Sequence, residues 1–258
     1  MISHDDLLKA LDRISPENQA EAWDHGGIQL LFHEKPIQRI LLCLDLTEEV
    51  LTEALQQKVD WIISHHPLLF HPVNRIDTRS YSSNLLIRLI QHKISVYSAH
   101  TSFDVTEGGN NDTLAALLQL DRAGEESGQG MLNFGSLSEP IPVQELMDRL
   151  RELLDLTPCD IRVVGDRNAV VKRVAICTGA GGSLISEAKQ AGCDVYLTGD
   201  LTHHQALLAR ELGLIVIDAG HSGTEQIFPR AMATLLRKEL GNEIECWESK
   251  INANPFKL

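Results

Sequence analysis

The chain carries an internal repeat, so its fold must be one that accommodates the same unit twice. Residues 39–66 (RILLCLDLTEEVLTEALQQKVDWIISHH) align without a gap onto residues 173–200 (RVAICTGAGGSLISEAKQAGCDVYLTGD) at an offset of 134, with 6 identical pairs among 28. The pairs are Arg39/Arg173, Cys43/Cys177, Glu53/Glu187, Ala54/Ala188, Gln56/Gln190 and Asp60/Asp194, and the hydrophobic pattern agrees as well. A second match sets SVYSAHTSFD (95–104) on VIDAGHSGTE (216–225) at an offset of 121, placing His100 on His221 and Asp104 on Glu225. Each half therefore offers a histidine with an acid four residues on, just after a strand-like run.

The patterning predicts helices over 5–13, 16–22, 47–58 and 81–92, and strands over 38–45, 60–64 and 94–98, in the first half. Asp112 is expected to cap a helix running to Leu120. Residues 121–142, rich in Gly, Ser and Glu and ending in Pro140 and Pro142, read as a linker with a short hairpin. The second half predicts helices over 143–154, 183–191, 202–212 and about 225–240, with strands over 161–165, 172–177, 194–198, 214–218 and near 243–248. Short apolar strands alternating with helices imply an α/β fold with mostly parallel sheets. The expected organisation is a first half over 1–122, a linker over 123–142 and a second half over 143–258, with 214–258 packing back on the first half. In such sheets ligands bind beyond the carboxyl ends of the strands.

Net charge is −13 and no dense Lys/Arg run occurs, which disfavours a nucleic-acid partner. The first residues, MISHDDLLKALDRI, form an amphipathic helix with Ser3 and Asp6 placed as a capping box, unlike a signal peptide. No apolar run reaches about 18 residues, so no membrane span is expected. Cys43, Cys159, Cys177, Cys193 and Cys246 are scattered and odd in number, which argues against a disulfide framework. A cytoplasmic protein is expected.

His65 and His66 follow the run Trp61-Ile62-Ile63-Ser64. Adjacent side chains on a strand point to opposite faces, so both imidazoles converge only if the chain turns there, and Pro67 favours such a turn. With the two histidine–acid pairs, this gives a metal-ligand set of His65, His66, Asp104, His221 and Glu225. Imidazole and carboxylate without thiolate suit Zn, Mn or Fe in an open site. Five ligands exceed one tetrahedral ion and suit two divalent ions, with Asp104 and Glu225 as bridging groups. His100 is either a further ligand, by its match to His221, or a group that orients a ligand or moves a proton in catalysis. Gly179, Gly181, Gly182 and Ser183 join a strand to a helix, as either a tight turn or an anion cradle. His203 and His204 are expected in solvent, and Gly128-Gln129-Gly130 lacks the context of a dinucleotide fingerprint.

SHHPLLF (64–70), His100-x3-Asp104, GAGGS (179–183), the TGD at 198–200, GHSGTE (220–225) and the segment Trp23-Asp24-His25-Gly26-Gly27 resemble the NIF-three-like dinuclear-metal family, often called GTP cyclohydrolase 1 type 2 homologs. The resemblance covers nearly the whole chain. It implies that His65, His66, Asp104, His221 and Glu225 ligate two metals, between two interlocked α/β domains assembled as a toroidal homohexamer. Met131 stands where relatives often carry Arg, and the short linker implies that the inserted domain of longer relatives is absent. Two functions follow as expectations. One is a metal-dependent hydrolase of a nucleotide-like small molecule, with His100 managing a proton. The other is a non-enzymatic protein for metal binding, assembly or delivery.

Overall fold

The repeat is written in hydrogen bonds as well as residues. In the computed structural model, Asp60 Oδ2 accepts the backbone N–H groups of Gln38 (2.8 Å) and Arg39 (3.1 Å). Asp194 Oδ2 accepts those of Lys172 (2.9 Å) and Arg173 (2.8 Å). The guanidinium of Arg39 donates to the Gln57 carbonyl and that of Arg173 to the Ala191 carbonyl, both at 3.1 Å. Every partner in one set is related to its counterpart by the offset of 134. Each aspartate begins one strand of its unit while fastening the start of the neighbouring one.

The structure describes residues 2–122, 130–241 and 244–256. The elements of the amino-terminal half are α1 (His4–Ile14), β1 (Gly27–Leu30), β2 (Arg39–Cys43), α2 (Glu48–Gln57), β3 (Trp61–Ser64), α3 (Tyr81–His92), β4 (Ser95–Ser98), α4 (Thr101–Val105) and α5 (Asn110–Leu117). There follow β5 (Asn133–Pro142), α6 (Val143–Leu153), β6 (Arg162–Val164), β7 (Val170–Ile176), α7 (Ile185–Gln190), β8 (Val195–Thr198), α8 (His203–Leu212), β9 (Ile215–Asp218), α9 (His221–Glu225), α10 (Phe228–Leu240) and β10 (Glu245–Glu248). None of the described helices is long and apolar enough to cross a membrane.

The chain divides into two compact units, Met1–Thr106 with Phe228–Leu258, and Glu107–Ile227. The first holds a five-stranded sheet in the order β1-β4-β3-β2-β10, parallel except for the antiparallel edge strand β1. Alternation along its strands feeds two cores. Ile40, Leu42, Trp61 and Ile63 pack with α1 and α10 through Leu7, Leu11, Met232 and Leu236. Leu41, Cys43, Ile62 and Val96 face the opposite way, onto α2 and α3 through Leu51, Ala54, Leu85 and Leu89. A sheet covered on both faces explains why its strands read as continuous apolar runs. The second unit repeats the plan with the order β5-β7-β8-β9-β6, with both edge strands antiparallel. Val174, Val195 and Ile217 pack with α5 and α6; Tyr196 and Val216 pack on the other side with Ile185 and Ala209.

Several expectations need correcting. The stretch expected as linker contains β5 over its second part, while residues 123–129, and the reading of Gly128-Gln129-Gly130, lie outside the described residues. The strand alternates buried and half-buried residues from Asn133 to Leu137, and its prolines are tolerated because it lies at an edge. The unit boundaries fall at 106/107 and 227/228 rather than at 122 and 142. Leu114, Ala115 and Leu118 bury against Val174 and Ile176 of the second unit, whereas Phe228 and Met232 bury against the first. Helix α5 starts at Asn110 with Gly109 as its cap; the Asp112 carboxylate instead receives Gly108 N–H, Arg122 and Asn133. The helix expected over about 225–240 is α10, which starts at Phe228 with Pro229 in its first turn, where the missing N–H is harmless, and the His221 loop ahead of it is the short helix α9.

Removing either strand-fastening aspartate leaves two backbone N–H groups without that acceptor. Asp60→Ala and Asp194→Ala are each expected to destabilise the fold by about 1–3 kcal/mol. Urea denaturation of the two variants checks this; an unchanged midpoint in both refutes the role assigned to these carboxylates.

Candidate metal centre

The residues that carry chemistry gather after the carboxyl ends of the central strands, and in the first unit they do so because β3 is turned sharply at its end. The N–H groups of both His65 and His66 donate to the Leu44 carbonyl, at 3.2 and 3.1 Å. Ser64 Oγ, beneath them, bonds the His66 carbonyl (2.8 Å) and Ser98 Oγ (2.9 Å). Adjacent imidazoles thereby come to one side, with ring centroids 5.1 Å apart, and His100 lies 5.2 Å from His65 and 5.6 Å from His66. One ligand atom from each of the three lies within 4.8 Å of the others.

Each imidazole is held through Nδ1. His65 Nδ1 donates to the Ala99 carbonyl, His66 Nδ1 to Asp45 Oδ1 and His100 Nδ1 to Asp24 Oδ1, all at 2.7 Å. These partners only accept, which assigns the proton to Nδ1 and the lone pair to Nε2. A ring fixed in this way presents Nε2 as a metal ligand, and the carboxylate behind it raises its basicity. Asp24 is itself fully enclosed and also receives the Thr101 N–H (3.0 Å) and the Thr101 hydroxyl. Burial pushes its carboxyl up, but the bonds from His100 and Thr101 outweigh this and hold it well below the usual carboxylate range. Burial, with help from neighbouring His65 and His66, lowers His100 against the opposing pull of Asp24. Burial thus favours the neutral imidazole at His100. Asp104, buried on α4, brings Oδ1 to 3.6 Å from His65 Nε2.

The second unit builds the corresponding arrangement after β9. His221 Nδ1 donates to Asp200 Oδ2 (2.8 Å), and His221 Nε2 lies 3.1 Å from Oε2 of the buried Glu225, one helical turn on. Two glycines make room for it. A Cβ on Gly179, whose φ is +69°, would come 2.1 Å from Glu225 Oε1, and one on Gly199 would lie 2.6 Å from the His221 nitrogen. Residue types and donor geometry in both units fit divalent metal ions, with imidazole Nε2 atoms and buried carboxylates as ligands.

The sequence reading missed Asp24, Asp45 and Asp200 as the groups that orient His100, His66 and His221. Asp200 was within reach, since it occupies the repeat position of His66. Asp45 was not, because Gly179 stands at its repeat position. The anion-cradle reading of 179–183 is weakened: Gly179 N–H donates to Thr224 Oγ1 and Gly181 N–H to Thr198 Oγ1, both at 2.9 Å. Gly182 and Ser183 open a single turn that leads into α7. His203 and His204 are exposed, and all five cysteines are free.

Residues 2–255 match the family model Duf34/NIF3 (NGG1p interacting factor 3), and the chain belongs to this family. Among its relatives, the GTP cyclohydrolase 1 type 2 homolog of Clostridium perfringens is 33% identical, with 98% of each chain covered. The NIF3-like protein 1 of Drosophila melanogaster is 29% identical, over 97% of this chain and 87% of that one. The fold is shared with the Staphylococcus aureus hypothetical protein SA1388, at a TM-score of 0.91 and 28% identity, with 98% of each chain covered.

Two predictions follow from the geometry. Asp24→Asn and Asp200→Asn each weaken the orientation of one imidazole, and metal affinity should fall about 10- to 100-fold while the fold survives. Competition with a chromophoric chelator measures this, and wild-type affinity in both variants would remove the orienting role. Gly179→Ala should displace the Glu225 carboxylate and lower metal content further than Gly192→Ala, where a new Cβ meets nothing within 4 Å. Elemental analysis of the two variants side by side decides between them.

Proposed function

We propose that the protein is a dinuclear metal-dependent hydrolase acting on a nucleotide-like small molecule. The observation that carries this reading is the common state of the histidines: His65, His66, His100 and His221 each have Nδ1 fixed by an acceptor, which makes Nε2 the nitrogen suited to ligation. Buried Asp104 and Glu225 lie beside two of those Nε2 atoms, and a buried carboxylate calls for a cation.

In this reading His65, His66, His221, Asp104 and Glu225 would hold two divalent ions (Zn, Mn or Fe), with Asp104 and Glu225 as the candidate shared carboxylates. When bound, such a pair supplies Lewis acidity and activates water at neutral pH. The protein's own part is to fix the ligands and to leave positions open for substrate oxygens. His66 and His221, partly exposed, are where a substrate gains access. The geometry of His100, in the same state as its repeat partner His221, supports a ligand role over a proton-transfer role. The relatives' name makes GTP the first substrate to test. A cytoplasmic homohexameric toroid, implied by family resemblance, belongs to the same proposal and is checked by sedimentation.

Elemental analysis of untagged wild type and Asp104→Ala provides the test, with GTP turnover assayed in parallel. About two ions per chain, lost with turnover in the variant, are expected. One ion or none in wild type, unchanged in the variant, overturns the dinuclear centre. Two ions without turnover of any nucleotide leave the metal site and refute the hydrolase, favouring metal storage or delivery. His100→Gln should lower metal content together with turnover; turnover lost at full metal content would reassign it to proton transfer.

A further inference from the structure

We propose that the first unit holds a second, independent binding site, for the phosphate group of a small phosphate ester. The site is a cavity of about 310 Å³ at the amino-terminal end of β3 and β4. It does not depend on the metal reading. Lys58-Val59-Asp60 lead into β3 and Lys93-Ile94 into β4, and all five residues line the cavity. His65-His66 and His100 follow the other ends of the same strands. Four extended residues span roughly 13 Å, so the length of the sheet separates the cavity from the imidazole cluster.

The two lysines stand in backbone that disfavours them. Lys58 ends α2 with φ +54° and Lys93 ends α3 with φ +55°, the left-handed region where a Cβ is strained. The second unit shows the usual solution at the same places. The repeat partner of Lys58 is Gly192, with φ +73°. Helix α8 ends on Gly213, with φ +62°, two residues ahead of β9, just as Lys93 stands two residues ahead of β4. A Cβ built on either glycine meets nothing within 4 Å, so crowding does not exclude a side chain there. Glycine is simply the residue this backbone prefers. The first unit instead carries lysine at both positions, and both lysines border one cavity. Strain kept where a ligand binds is a recognised pattern.

The lining suits a phosphate. Lys35 joins Lys58 and Lys93, and His92 adds a further donor. All three lysines are exposed; Lys93 is ion-paired to Glu34, which also lines the cavity, while Lys35 and Lys58 have no ion pair among the described residues. Two carboxylates, Glu34 and Asp60, share the lining, and the Asp60 carboxylate is engaged by the Gln38 and Arg39 N–H groups. In a chain of net charge −13, three lysines against two carboxylates leave this cavity with a formal charge of +1, a local reversal of sign. Ammonium groups act as point charges for phosphate. Phe32, Leu55 and Ile94 give an apolar wall, and a volume at the small end of ligand pockets admits a compact organic part such as a pentose.

The test is calorimetric titration of the full-length protein at low ionic strength with ribose 5-phosphate, inorganic phosphate and ribose. The two phosphates should bind and ribose should not. Lys58→Gly with Lys93→Gly should weaken ribose 5-phosphate binding roughly tenfold or more. Because glycine relieves the left-handed backbone, the urea midpoint should stay level or rise, and metal content should not change. Failure of both phosphates to bind at millimolar concentration overturns the proposal. So does unchanged affinity in the double variant, which would place the phosphate elsewhere, on bound metal for instance. A lowered urea midpoint refutes the strain argument. If the glycine variant does not fold, Lys58→Asn with Lys93→Asn replaces it, since asparagine tolerates this backbone; wild-type affinity there overturns the site.

Discussion

The chemistry of this protein rests on one repeated interaction, an acceptor placed behind the Nδ1 of an imidazole. A histidine free to rotate offers either nitrogen to a metal and loses rotamer entropy on binding. When Nδ1 is bonded to a carboxylate or carbonyl at 2.7–2.8 Å, the tautomer is chosen and the ring plane is fixed. The second group matters as much as the first. Asp24 is enclosed, and the bonds it receives from His100 and Thr101 hold its carboxyl low against the burial that would raise it. The amino-terminal end of α4 thereby anchors the group that orients the histidine capping the same helix. His65 is the exception: its partner is the Ala99 carbonyl, a neutral dipole suited to a ring with no solvent exposure.

This frame demands a fold that delivers strand ends to fixed places, and the doubled α/β unit does so. Asp60 and Asp194 fasten neighbouring strands at their starts, and burial on both faces packs each sheet between its helices. With the strands fixed, the residues that follow them have little freedom. Gly199 lets the end of β8 approach the His221 turn within contact distance, and Gly179 leaves room for the Glu225 carboxylate. These glycines serve the positions of two ligands, which is why the glycine-rich loop reads more naturally as a spacer than as an anion cradle.

Most of the fold was legible because its signals are local. Apolar runs mark β2, β3, β4, β8 and β9 within one or two residues, and the offset of 134 relates two of the βαβ units. The ligand candidates were legible because histidine and acid recur at the same spacing in both halves. What escaped was non-local. Strand β1 pairs antiparallel to β4 across some seventy residues of chain, and nothing in its short sequence announces a partner. Strand β5 looks like a linker because Gly135, Pro140 and Pro142 are acceptable at a sheet edge. The discontinuity of the first unit arises because α10 finds its apolar partners on α1 and β2, far away in sequence. Asp45 and Asp24 escaped for the same reason: their role exists only when distant loops meet.

The differences between the repeats are as informative as the likenesses. Duplication supplies two copies of a scaffold, and function then resides where one copy departs from the other. His65 and His66 replace Gly199 and Asp200, placing two candidate ligands where the other half has a close-packed turn. Asp45 replaces Gly179, and the half that holds His66 gains its orienting carboxylate where the other half needs empty space for Glu225. Lys58 and Lys93 replace the glycines that the backbone favours, at the opposite end of the sheet. The first two departures have a physical account at the candidate metal ligands. The third follows the same logic, since a side chain held against backbone preference in one copy, and absent from the other, marks a place where charge rather than packing determines the residue.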